Sequence, residues 1–110
     1  MITIDVGKEF HSRLAHRNEF VGDFHAVEFR KKYLSTLDNA ETWKNLEVEI
    51  ILDFSHVETI SPSFANEAFA YFMQYITMPE DFFKKIKIIN IEKTIDLKTI
   101  EMELNERYHE

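Results

Sequence analysis

The chain has 110 residues, too few for two domains and enough for one real core. Hydrophobic residues make up 45% and aromatics 14%, with ten Phe against two Gly and two Pro, which excludes low-complexity linkers and predicts a single packed domain over 1–110. With 13 Lys and Arg against 20 Asp and Glu, the formal charge of -7 argues against nucleic acid and anionic membrane surfaces, and the lack of cysteine rules out disulfides, Cys-based zinc sites and thiol catalysis. No apolar run is long enough to span a bilayer, and "MITIDVGKEF" lacks the basic start and apolar centre of a secretory signal, so the expected compartment is the cytoplasm.

Residues 2–6, "ITIDV", alternate apolar and polar types with β-branched members and predict a half-buried strand ended by Gly7. Residues 10–14 are read as a second extended piece that would close an antiparallel hairpin at the edge of the sheet. In "GDFHAVEFRKKYLSTL", residues 22–37, Asp23 can cap a helix on which Ala26, Phe29, Tyr33 and Leu37 recur at helical spacing, with Arg30, Lys31 and Lys32 toward water. The polar stretch 38–45 holds the only Trp, Trp43, expected to anchor this connection to the core.

Residues 46–54, "LEVEIILDF", predict a strand with Val48, Ile50, Leu52 and Phe54 on one face. A helix follows over 62–78, then a strand at 85–91, "KIKIINI", then a helix over 92–108 with Leu97, Ile100, Leu104 and Tyr108 on one side. Strands alternating with helices argue for an α/β domain with crossover connections.

The helix at 62–78 carries the sharpest question. Its wheel places Ala65, Ala68, Phe69, Phe72, Met73 and Ile76 on a sheet-facing stripe and Ser63, Glu67, Ala70 and Gln74 opposite. Ser61 before Pro62 is a natural cap, which leaves Ser63 free to point outward in a first turn that favours anions. A second apolar line, Phe64, Tyr71, Tyr75 and Met78, is either covered by neighbouring helices or forms a partner-binding patch beside Ser63.

The motif from Val48 to Ala70, "VEIILDFSHVETISPSFANEAFA", resembles the central strand, turn and helix start of STAS domains, the fold of anti-sigma factor antagonists, and in particular a STAS-like family of unassigned function. The residues that carry the likeness are Asp53, Val57, Ser63, Phe64, Glu67, Ala68 and Phe69, with Phe10, Arg13, Arg17, Phe29 and Arg30 in the N-terminal part. The resemblance implies a STAS-like mixed β-sheet with flanking helices and a role in protein–protein regulation. In anti-sigma factor antagonists, the serine at this helix start is phosphorylated by a kinase of the histidine-kinase-like ATPase fold, and that serine falls on Ser63. The pattern departs where Ser61-Pro62 replaces the usual preceding Asp and where Phe64 replaces the usual following Gly.

Five histidines, His11, His16, His25, His56 and His109, form no metal motif, and no cofactor motif is present, so neither metal nor cofactor is expected. His56 could act as a base for Ser63 with Asp53 as orienter, but no G-x-S-x-G elbow surrounds the serine, so no catalytic residue is assigned. The basic residues are either a solvated face or, for Arg13 and Arg17, a dock for an acidic partner or small anion. The expectation is a non-enzymatic interaction module of bacterial signalling, with Ser63 as phosphorylation site and Ser61, Phe64, Glu67, Tyr71, Arg13 and Arg17 contacting a protein partner, either a histidine-kinase-like ATPase or a serine kinase. The alternative is a small-ligand or anion sensor using the same helix N-terminus.

Overall fold

A computed structural model describes residues 1–16 and 24–108. The first strand, β1 (Ile2–Asp5), ends where Asp5 caps a single helical turn, α1 (Val6–Glu9): the Lys8 N–H donates to Asp5 Oδ1 at 3.1 Å, and the Asp5 N–H donates to Glu9 Oε2 at 2.7 Å. Gly7 sits inside this turn because the His56 backbone lies against it, and a Cβ at Gly7 would fall 2.6 Å from His56 Cβ and closer still to the His56 carbonyl. The chain then runs through β2 (Arg13–Leu14) and α2 (Ala26–Tyr33), passes two single 3-10 turns, and enters β3 (Ile50–Asp53) and β4 (Thr59–Ile60). It continues through α3 (Pro62–Ala68), a 3-10 segment at Ala70–Tyr75, α4 (Pro79–Lys85), β5 (Ile86–Ile89) and α5 (Thr94–Tyr108).

The strands form two sheets, β1-β3-β5 and β2-β4, and every ladder pair among the described residues is parallel. Ile4 lies beside Leu52 and Ile50 beside Ile86, all buried, so one face of the larger sheet closes onto the core. On the other face Thr3 and Lys87 are exposed and Ile51 is half-buried between them. The antiparallel N-terminal hairpin is not formed: α1 turns the chain away from β1, and β2 pairs instead with β4, which leads into α3.

Phenylalanine fills the interior. Phe10 packs against Phe29 at 5.2 Å and against Phe64 at 6.3 Å between ring centroids, while Trp43 contacts Phe72 and stacks on Phe82. Trp43 is buried and its indole N–H donates to the Leu37 carbonyl at 2.7 Å, so it anchors the polar connection as expected. The first long helix starts later than the reading from Asp23, which lies outside the described residues; His25 caps it, with Nδ1 accepting the Glu28 N–H at 3.1 Å. Arg30 does not face water; it is buried between helices.

The helix expected over 62–78 breaks after Ala68, and the 3-10 segment advances each residue by about 120° where an α-helix advances about 100°. Of the predicted stripe, Ala65, Ala68, Phe69, Phe72 and Met73 are buried and Ile76 is half-buried; beyond the break Ala70 of the opposite face is buried too, while Gln74 stays exposed. A seven-residue helix that the sequence reading did not assign, α4, precedes β5, with Pro79 in its first turn, Glu80 and Asp81 beside it and Lys84 and Lys85 at its end.

Candidate functional site

The start of α3 follows directly from its sequence. Ser61 adopts an extended conformation, Pro62 supplies a preset φ without needing an N–H partner, and Ser61 Oγ accepts the Phe64 N–H at 3.2 Å. The same hydroxyl donates to the Ala15 carbonyl at 2.9 Å, and the Ser61 N–H donates to Leu14, so the cap is stitched to the β2 segment. Ser63 Oγ lies 3.2 Å from Ser61 Oγ and is half-buried. Ser61 therefore holds the helix start, and the Ser63 hydroxyl is left at a partly accessible position, less outward than the wheel implies.

The other expected contact residues divide. Phe64 is fully buried among Phe10 and Phe29, so it is not a binding-surface residue; its place one turn from the cap points it into the core. Glu67 and Tyr71 are half-buried and serve an internal network around Arg30. Arg30 Nε donates to the Glu67 carbonyl and Nη2 to Glu67 Oε1, both at 3.1 Å, while its guanidinium carbon sits 3.7 Å from the Tyr71 ring centroid. Tyr71 and Tyr75 both donate to Asp38, at 3.0 Å and 2.6 Å, and donation to that carboxylate is the main cause that pushes the Tyr75 hydroxyl up to about 12. The second apolar line is thus mostly covered by α2 and the 38–45 connection, with Met78 at its end exposed. Arg13 is exposed and donates from Nε to Glu58 Oε2 at 2.9 Å, which holds the Glu58 carboxyl below its ordinary range. Arg17 lies outside the described residues, as does His109.

His56 does not pair with Asp53 or reach Ser63. Its Nδ1 faces Asp5 Oδ2 at 3.0 Å and Ser55 Oγ at 3.4 Å, and one nitrogen serving both groups cannot relay a proton between them. Asp5 and Asp53 are register partners at the carboxyl ends of β1 and β3. Asp53 accepts the Asn90 amide at 3.0 Å and the Ser55 N–H at 2.9 Å, with the Asn90 bond the leading cause that lowers its carboxyl from the ordinary value. Asn90 has a φ of 58°, a left-handed conformation that asparagine tolerates, and this turns its amide back onto Asp53. No group of side chains among the described residues could hold a metal ion, and no helix there is long and apolar enough to cross a membrane.

A second concave feature adjoins the 54–59 connection. A cleft of about 580 Å³ is lined by Arg13, Val57, Glu58, Ile91, Lys93 and Asp96, among others. Asp96, in the first turn of α5, is buried there, and sequence reading missed it by placing the apolar face of α5 on Leu97. The spacing held the signal: Asp96, Ile100 and Leu104 recur every four residues, and all three are buried.

Three parallel strands with helical crossovers, and a serine-bearing helix start following the central strand, define a STAS-like α/β domain. The chain belongs to the family described as STAS-like domain of unknown function (DUF4325), whose model matches residues 25–96. Comparison with curated proteins and with solved structures gives no match.

Proposed function

We propose that the domain is a non-enzymatic regulatory module that binds a protein partner through the surface at the start of α3, and that phosphorylation of Ser63 turns this contact off. The observation that carries the reading is the division between the two serines: Ser61 supplies the cap, so a group added to Ser63 alters the surface without removing the helix start. Beside Ser63, Pro62 is exposed, whereas Phe64 is buried and Glu67 and Tyr71 are engaged internally. A phosphate adds about -1.5 to -2 charges, and burying it unpaired in an interface costs far more than a helix start returns. The likeness to anti-sigma factor antagonists supports a partner of the histidine-kinase-like ATPase class or another serine kinase, and with it a place in bacterial signalling in the cytoplasm. The test is peptide mapping by mass of the domain recovered from its source cell, alongside Ser63→Ala. A phosphate on the peptide holding Ser63, absent from the variant, is the expected result; phosphate found only elsewhere, or none, overturns the switch.

A sensor role is favoured at a different place from the α3 start. In α3 the Phe64 N–H is already taken by Ser61 and Pro62 has none, which leaves little for an anion to bind. The cleft beside α5 is the better seat for a small ligand.

A further inference from the structure

We infer that the cleft between the 54–59 connection and the start of α5 binds an alkylammonium group, with Asp96 as its counter-ion. Its volume of about 580 Å³ falls within the range of small-ligand sites, roughly 300–1,000 Å³. Asp96 is only 5% exposed, and among the described residues no hydrogen bond or ion pair engages its carboxylate. No side-chain oxygen among the described residues is fully sealed without a partner, so the Asp96 oxygens keep a little accessible surface, and Asp96 lines the cleft.

A first-turn carboxylate is favoured by the helix dipole, but the dipole does not require that the group be buried, and burial without a partner is costly. Both cations of the lining engage Glu58 and leave the Asp96 carboxylate without a contact. Lys93 Nζ donates to the Glu58 carbonyl at 2.6 Å, and Arg13 donates to the Glu58 carboxylate. Glu58, Glu92 and Asp96 put three carboxylates on the lining against the two cations Arg13 and Lys93, a balance that favours a cation over an anion. Half-buried Val57 and Ile91 offer apolar walls to a short alkyl stem. The ligand these features fit is a compact cation with several N–H donors on a hydrocarbon stem, either a free amine or the lysine side chain of a partner. This inference is independent of the Ser63 switch.

The test is a titration of the labelled domain with n-butylammonium chloride, followed by amide NMR shifts, with sodium butyrate as the control of opposite charge. Saturable shifts around Val57, Ile91 and Asp96 are expected with butylammonium and not with butyrate. Asp96→Asn, which keeps the shape and removes the charge, should weaken binding about tenfold or more. If that variant folds poorly, Val57→Lys, which carries its own ammonium into the cleft, should abolish binding while Asp96 stays intact. Shifts that never saturate, equal binding of butyrate, or unchanged affinity in a folded Asp96→Asn protein would overturn the inference. Comparison with N-acetyl-lysine methylamide and with 1,5-diaminopentane assigns the source: tighter binding of the first points to a partner's lysine, of the second to a free amine.

Discussion

Replacing Arg30 by Met should destabilise the domain without touching the Ser63 surface. The guanidinium makes two charge-assisted bonds to Glu67 at 3.1 Å, lies 3.9 Å from Asp38 and covers the Tyr71 ring at 3.7 Å. Hydrogen bonds involving a charged group contribute about 1.5–3 kcal/mol each and a partly desolvated cation over an aromatic ring about 0.5–2 kcal/mol. Two effects offset this sum. Met keeps the apolar stem packed, and the freed carboxylates rehydrate, since the Glu67 and Asp38 side chains are 21% and 32% exposed. The expected net loss is about 2–3 kcal/mol, a large part of the roughly 5–15 kcal/mol that holds a domain together. In urea unfolding the midpoint should fall with an unchanged slope, and the melting temperature should drop by roughly 10 °C. Arg30→Lys should recover little, because an ammonium cannot both fork onto Glu67 and lie flat on Tyr71. A double-mutant cycle with Glu67→Gln should give a coupling of about 1 kcal/mol or more. A loss below about 0.5 kcal/mol in Arg30→Met, or no coupling in the cycle, would refute the assignment of Glu67 and Tyr71 to internal support.

Gly7→Ala places a Cβ against the His56 backbone, which cannot swing away as a side-chain tip could, so a loss at or above the usual overpacking cost of about 1–3 kcal/mol is expected in urea unfolding. Ser61→Ala should cost about 0.5–2 kcal/mol by removing the α3 cap, whereas Ser63→Ala should stay within about 0.5 kcal/mol, and equal losses would undo the division between the serines. In an absorbance titration of tyrosinate, Tyr75 should ionise near pH 12, and Asp38→Asn should bring it back toward 10. Because the folded-state value is raised, this bond stabilises the fold fully below pH 10 and its contribution is lost as the pH rises from there through about 12.

How far the sequence could be read depends on which physical signal each element carried. Alternation in "ITIDV" and "LEVEIILDF" marked β1 and β3, although only Ile50–Asp53 of the second stretch forms the strand, and the Ser61-Pro62 pair marked the α3 cap, because these signals are local. The wheel for 62–78 places Ala65, Ala68, Phe69, Phe72 and Met73 in the core but not the break after Ala68, where the backbone tightens into 3-10 turns, a change of pitch that no residue in 69–75 announces through Pro or Gly. The burial of Phe64 and Arg30 could not be read from spacing, since both depend on how α2 and α3 pack together. The parallel β2-β4 pair is a long-range contact that replaces the simpler local hairpin. In α4 the signals were present, with Pro79 at the start, acids in the first turn and lysines in the last, but seven residues give too few turns for a periodic stripe. Asp96 was overlooked because a charged residue was not expected on the buried stripe it shares with Ile100 and Leu104.

The most direct measurement of the central claim is recovery of partner proteins from the source cell by wild type, Ser63→Ala and Ser63→Asp, each first shown to melt at the same temperature. A partner retained by wild type and Ser63→Ala should be lost with Ser63→Asp. Recovery of that partner by all three in equal amount would contradict it.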